Sequence, residues 1–283
     1  MDPYAKWIFI GPAALVLALM LIFPFGYTFY LSFFEWFAAG SAKFVGLQNY
    51  FELSRDPRFI NALINTIVYT VSAVVLEVVL GIAFALLLHQ KFFGRGAVRT
   101  IFLLPMVATP VAIALVWLLM FDPSTGVLNY FLISVGLAPS VWVNSSALAI
   151  PALVLVDVWQ WTPLVMLIVL GGLSSLPPEP FEAAEIDGAS ALQVFYHLTL
   201  PMLRPYIVVA ALFRGIDALK TFDTIFVITK GGPAFASETL NLYIYSNAFD
   251  YLHIGYSSAM LVVFFVIVLG LSLVLIRVRR VTV

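Results

Sequence analysis

Six long apolar stretches dominate this chain, over residues 7–32, 60–89, 100–121, 146–172, 204–229 and 255–277. A helix needs about 20 mostly apolar residues to cross a lipid bilayer, and each stretch is long enough. Hydrophobic residues make up 63% of the 283 and charged residues only 10%, whereas a soluble domain carries about 25% charged residues. Lipid must cover what a single core cannot. The expectation is an all-α membrane protein with six transmembrane helices in one domain, residues 1–283. The first stretch extends from about Trp7 to Phe34, too long for a signal-peptide core of roughly 7–15 residues, and reads as a retained span.

An even number of spans puts both termini on one side. On that side fall Lys6, Lys91, Arg95, Arg99, Arg204, Arg277, Arg279 and Arg280; the other side has Lys43, Arg55, Arg58 and Lys230. Positive charge favours the cytoplasmic side, so both termini and the 173–203 loop are expected in the cytoplasm. Segments 35–59, 122–145 and 230–253 then lie outside.

Several function classes drop out. The net charge of −1, with no basic stripe, gives no reason to expect nucleic acid. The chain has no cysteine, which removes disulfides, thiolate metal sites and cysteine nucleophiles. No Gly-x-x-x-x-Gly-Lys-Ser/Thr phosphate loop is present, so ATP binding is not expected in this chain. His89, His197 and His253 are scattered without metal-ligand spacing.

Residues 182–201, within the 173–203 loop, form a polar, acidic island. Leu176-Pro177-Pro178-Glu179-Pro180-Phe181 ends the fourth span and leaves Glu182 near a helix start, where an acidic side chain suits the helix dipole. Ala183 and Ala184 permit close approach by another backbone or a bulky side chain. Gly188 is suited to a left-handed turn. A further short helix from Ala189 is expected to stop at Pro201. Two short helices at an angle would present small residues and carboxylates to a partner.

Glu182-Ala183-Ala184, Asp187-Gly188-Ala189 and Leu200-Pro201 at these offsets resemble the EAA loop of bacterial ABC importer permeases. Trp159-Gln160-Trp161-Thr162-Pro163, and Gly231-Gly232-Pro233 after the fifth span, are similar to the maltose-type carbohydrate branch. The resemblance implies the type I ABC importer permease fold and a multi-pass location in the bacterial inner membrane. It also implies partners: a second homologous permease, two ATP-binding subunits that hold ATP and Mg²⁺, and a periplasmic or lipid-anchored solute-binding protein. The chain itself would carry no cofactor and would not be an enzyme. Glu182, Ala183, Ala184, Asp187, Gly188 and Ala189 would couple it to the ATPase.

An ionisable residue inside a span is a functional candidate by default. Asp157 lies in the fourth span beside Trp159, Gln160 and Trp161. Arg214 and Asp217 in the fifth are three apart, on one helix face, and can pair. Carried over from the family's sugar site, the matching positions are Gln160, Trp161, Leu164, Arg214, Asp217, Ala218 and Thr221. Two readings fit Arg214 and Asp217: substrate contacts, or a neutralised pair that fixes helix packing. Arg214 also admits an anionic sugar. The functional alternative is a stand-alone membrane facilitator or intramembrane enzyme with a fortuitous loop.

Overall fold

The computed structural model describes residues 5–37 and 40–281. The chain opens with the long helix α1 (Ala5–Leu31) and a two-residue antiparallel ladder, β1 (Phe34–Glu35) with β2 (Lys43–Phe44), in which Phe34 faces Phe44. Then follow α2 (Gln48–Leu53), α3 (Pro57–His89), α4 (Arg95–Val107), α5 (Pro110–Met120) and α6 (Val127–Ser134). After α7 (Ala149–Ser174) come the short helices α8 (Glu179–Ile186) and α9 (Ala191–Val194). The chain continues through α10 (Leu200–Leu219), α11 (Asp223–Ile228), α12 (Leu240–Tyr245) and α13 (Ile254–Val281).

Among the described residues, four helical segments are long and apolar enough to cross a membrane: Ile10–Leu31, Pro57–His89, Ala149–Ser174 and Ile254–Val274. The expected span 100–121 is broken. Its halves, α4 and α5, meet at 96°. Pro110 disfavours the helical conformation in the residue before it, and Thr109 sits at φ −66°, ψ 141°. The expected span 204–229 is also in pieces, since α10 ends at Leu219 and α11 begins at Asp223. Within its 20 residues α10 carries Arg204, Arg214 and Asp217. The expected side of the chain ends concerns residues 1–4 and 282–283, which lie outside the described residues.

The chain divides into two compact units, Met1–Ile60 with Tyr243–Ile267, and Asn61–Leu242 with Val268–Val283. In the first, Asp56 is a hub. It accepts the Tyr243 hydroxyl at 2.6 Å, the Tyr256 hydroxyl at 2.8 Å and the Arg58 N–H at 2.8 Å. Burial raises the Asp56 carboxyl, but these donors outweigh it and hold the group below the usual carboxylate range.

The second unit is centred on α7. Its core joins Ala85 and Leu88 of α3, Val165, Met166, Val169, Leu170 and Leu173 of α7, and Leu203 and Ala210 of α10. Hydropathy alone does not mark this helix as central. The most apolar windows of α1 and α7 share a mean hydropathy of 2.0, yet 6% of the first is buried against 67% of the second. Close approach sets α7 against α10: a Cβ on Gly172 would lie 2.6 Å from the Tyr206 ring.

Candidate functional site

The second unit holds a cluster of four charged side chains contributed by three helices, three of them buried. Arg214 on α10 is wholly buried. Its Nε donates to Glu77 Oε2 at 2.7 Å and its Nη2 to Glu77 Oε1 at 3.0 Å, a two-pronged grip by α3. Nη2 also donates to Asp157 Oδ2 of α7 at 2.8 Å, and Nη1 donates to Asp217 Oδ2 one turn along α10. The guanidinium lies 4.9 Å from the ring centroid of Trp161, one turn beyond Asp157 on α7. A buried charge is tolerated when it is paired and hydrogen-bonded, and Arg214 meets both conditions. Glu77 is also buried, whereas the Asp217 side chain is 51% exposed.

Beside the cluster is an open cavity of about 530 Å³. Trp161, Leu164 and Ile168 of α7 form one wall; Arg214, Ile216, Asp217 and Lys220, at and just beyond the end of α10, form another. Four of the seven positions expected to meet a substrate are therefore brought together: Trp161, Leu164, Arg214 and Asp217. The other three do not line this cavity. Gln160 is 1% exposed, and its Nε2 donates toward the Ala108 carbonyl at 3.4 Å, at the break between α4 and α5. Ala218 is 2% exposed, and Thr221 is half-buried beyond the end of α10. Sequence reasoning missed Glu77. Its signal was present: a lone carboxylate in the apolar run Val74-Val75-Leu76-Glu77-Val78-Val79.

The link between α7 and α10 forms a second site. Glu179 and Glu182 occupy the first turn of α8, where carboxylates suit the positive end of the helix dipole. Gly188 turns the chain at φ +73°, the left-handed conformation its lack of Cβ allows. Ser190 then starts α9 with a capping box: its Oγ accepts the Gln193 N–H at 3.4 Å, and Gln193 Oε1 accepts the Ser190 N–H at 2.7 Å. Ala184, Asp187, Gly188 and Ala189 line a surface hollow of about 390 Å³ with Gln193, Val194, His197 and Leu198. Glu182, Ala183, Asp187 and Gly188 are exposed, and Ala184 and Ala189 are half-buried. Around them Ile186 is 87% exposed, Leu192 66% and Tyr196 56%.

The second short helix does not stop at Pro201, as the sequence suggested. It widens into a π turn over Phe195–Thr199, with the Leu200 N–H bonded to the Phe195 carbonyl, and runs on into α10. Pro201 is the second residue of α10, directly after the π turn. Among the described residues, no group of His, Asp and Glu is placed to hold a metal ion.

Comparison with known proteins fits this arrangement. The sequence profile described as "Binding-protein-dependent transport system inner membrane component" matches residues 77–282. The chain is 44% identical over 267 residues to a probable ABC transporter permease protein of Sinorhizobium fredii, covering 93% of this chain and 86% of that one. It is 37% identical over 277 residues to a trehalose/maltose transport system permease protein of Thermococcus litoralis, covering 97% and 93%. Among solved structures, a chain of a bacterial alginate ABC transporter, in complex with an alginate pentasaccharide-bound periplasmic protein, superposes with a TM-score of 0.84. That match covers 99% of this chain and 95% of the other, at 22% identity, and speaks to the fold.

Proposed function

This chain belongs to the family of binding-protein-dependent transport system inner membrane components, and from that premise we propose that it carries a carbohydrate inward by alternating access, driven by ATP hydrolysis on separate subunits. Its relatives are permease subunits of ABC transporters, with sugar-transport members among them, and are not enzymes. Intramembrane enzymology is therefore set aside. Its α3, α7 and α13, with Ile10–Leu31, are membrane-spanning by length and composition. We extend this to six spans, counting the bent pair α4–α5 and the charged α10 with α11, with both termini cytoplasmic in a bacterial inner membrane. Partners are a second homologous permease, two ATP-binding subunits and a solute-binding protein.

One observation carries this reading. The two helices that wall the cavity, α7 and α10, are joined in sequence by the exposed 182–201 segment with its small-residue hollow. A partner seated on Glu182, Ala183, Ala184, Asp187, Gly188 and Ala189 would act on both walls at once. Gln160, Trp161, Leu164, Arg214, Asp217, Ala218 and Thr221 form or back the substrate path. ATP and Mg²⁺ would be held by the partner ATPases.

The test has two readouts. Purification of the tagged chain from native membrane should bring down an ATPase and a second permease. The complex in proteoliposomes, with its binding protein, should accumulate sugar only with ATP. Isolation of the chain alone, with ATP-independent sugar flux, would favour a facilitator instead.

A further inference from the structure

We propose that Glu77 and Asp157 are positioning residues that withdraw Arg214 from the solute, so that the cavity is read by the Asp217 carboxylate and the Trp161 indole and takes an uncharged, hydroxyl-rich solute rather than an anion. This rests on the cavity being the substrate path.

An arginine beside a cavity ordinarily offers a planar fork of donors to a carboxylate, sulfonate or phosphate. Arg214 does not have that fork to offer. It carries five N–H groups, and four are engaged: two by Glu77, one by Asp157 and one by Asp217. Its side chain has no exposed surface. An incoming anion would find one N–H left, on a side chain with no exposed surface, and would have to displace Asp157 or Asp217 to gain a second.

The group turned toward the cavity is of opposite character. Asp217 gives one oxygen to Arg214 and keeps half of its side chain exposed on the cavity wall. A carboxylate only accepts hydrogen bonds, so it suits hydroxyl donors and repels anions. Lys220 brings a second cation to the wall, but it sits exposed at the end of α10 on a flexible stem. Against these two cations stand three carboxylates. Trp161, half-buried and lining the same wall, adds the flat apolar surface that a sugar ring can lie on. Glu77 and Asp157 reach Arg214 from α3 and α7. Without them the guanidinium is free to swing toward the cavity, and the wall changes from acceptor to donor.

Chemical modification of the intact purified complex, followed by peptide mass spectrometry, tests this. Phenylglyoxal, an arginine reagent, should leave Arg214 unmodified in the native complex and modify it after unfolding in detergent. In the Glu77→Gln, Asp157→Asn variant it should react natively. Modification of Arg214 in the native wild type at the rate seen after unfolding would overturn the proposal, whether or not the variant assembles. A water-soluble carbodiimide with glycine methyl ester should label Asp217. A mixture of maltose, trehalose and sorbitol should slow that labelling several-fold, and glucose 6-phosphate should not. In the double variant the order of protection should reverse, an inversion that loss of stability alone does not produce. Stronger protection of the wild type by glucose 6-phosphate would overturn the proposal. A Trp161→Ala complex that imports sugar at the wild-type rate would instead overturn the reading of the cavity as the path.

Discussion

Two sites at opposite ends of the α7–α10 pair are built in opposite ways. The Arg214 cluster is closed: the cation is wholly buried, and the carboxylates that answer it come from α3, α7 and α10 of the same chain. The 182–201 segment is open. Its carboxylates Glu182 and Asp187 are exposed, its small residues line a hollow, and Ile186 is 87% exposed. The first site is complete within the chain; the second has the features of a surface that another molecule completes. Substitutions should accordingly affect the chain itself at the first site and its partnership at the second.

The largest effect belongs to the closed site. Arg214→Ala leaves Glu77, Asp157 and Asp217 facing one another. Removing one member of a buried ion pair typically costs about 3–5 kcal/mol. The variant should be lost from the membrane or melt far below wild type in detergent. Neutralising only the two α10 residues, Arg214→Met with Asp217→Asn, should not restore it, because Glu77 and Asp157 remain. Adding Glu77→Gln and Asp157→Asn should. Wild-type melting of Arg214→Ala would break the comparison at its stronger end.

Next comes the contact between the helices. Gly172→Val drives a side chain into the Tyr206 ring, 2.6 Å from the position of its Cβ. Overpacking of this kind costs about 1–3 kcal/mol. The melting temperature should fall, and Tyr206→Ala in the same chain should recover part of the loss. An unchanged melting curve for Gly172→Val would show that the two helices can separate freely.

At the open site the effects on the chain shrink while those on transport grow. Gly188→Val forces a β-branched residue to φ +73°, a strain of about 1–3 kcal/mol that an exposed turn can relax. The chain should still insert, but solute-stimulated ATPase activity and uptake should be lost. Full uptake by both Gly188→Val and Glu182→Lys would remove this segment from coupling.

What the sequence made legible was local. Gly188 declared its turn through its missing side chain, and Arg214 and Asp217 declared their pairing through a spacing of three. The apolar runs announced α1, α3, α7 and α13. Glu77 lies 137 residues from Arg214, and no periodicity links positions that far apart. Its solitary carboxylate in an apolar helix was the only cue. The break between α4 and α5 was written in Pro110, but a hydropathy reading averages across such punctuation. The π turn at Phe195–Thr199 depends on how α9 meets α10, which composition does not encode. In the same way, the approach of the Gln160 amide to the carbonyl of Ala108 at the break joins positions 52 apart and leaves no mark in the sequence.

The smallest effect on the chain should come from Ile186→Ser. A surface substitution away from special features shifts stability by about 0.5 kcal/mol or less. Yet an apolar anchor buried in a partner commonly contributes about 2 kcal/mol or more to association. The variant should melt as wild type and release the ATPase during washing. Retention of the ATPase at wild-type levels would place the docking contact elsewhere in the hollow.

The π turn has a mechanical consequence. Because the helix widens at Phe195–Thr199 instead of ending, residues 191–219 form one uninterrupted helical run. At about 1.5 Å per residue, Arg214 lies roughly 35 Å along this bar from its beginning at α9. Tilting a bar of that length by about 3° about one end carries the other end sideways by about 2 Å, more than the slack in a hydrogen bond. A small displacement at the hollow would reach the charged cluster as a change of contacts rather than dissipate in a joint. The cluster would be the end that receives the motion, tied on one side to α3 and on the other to α7.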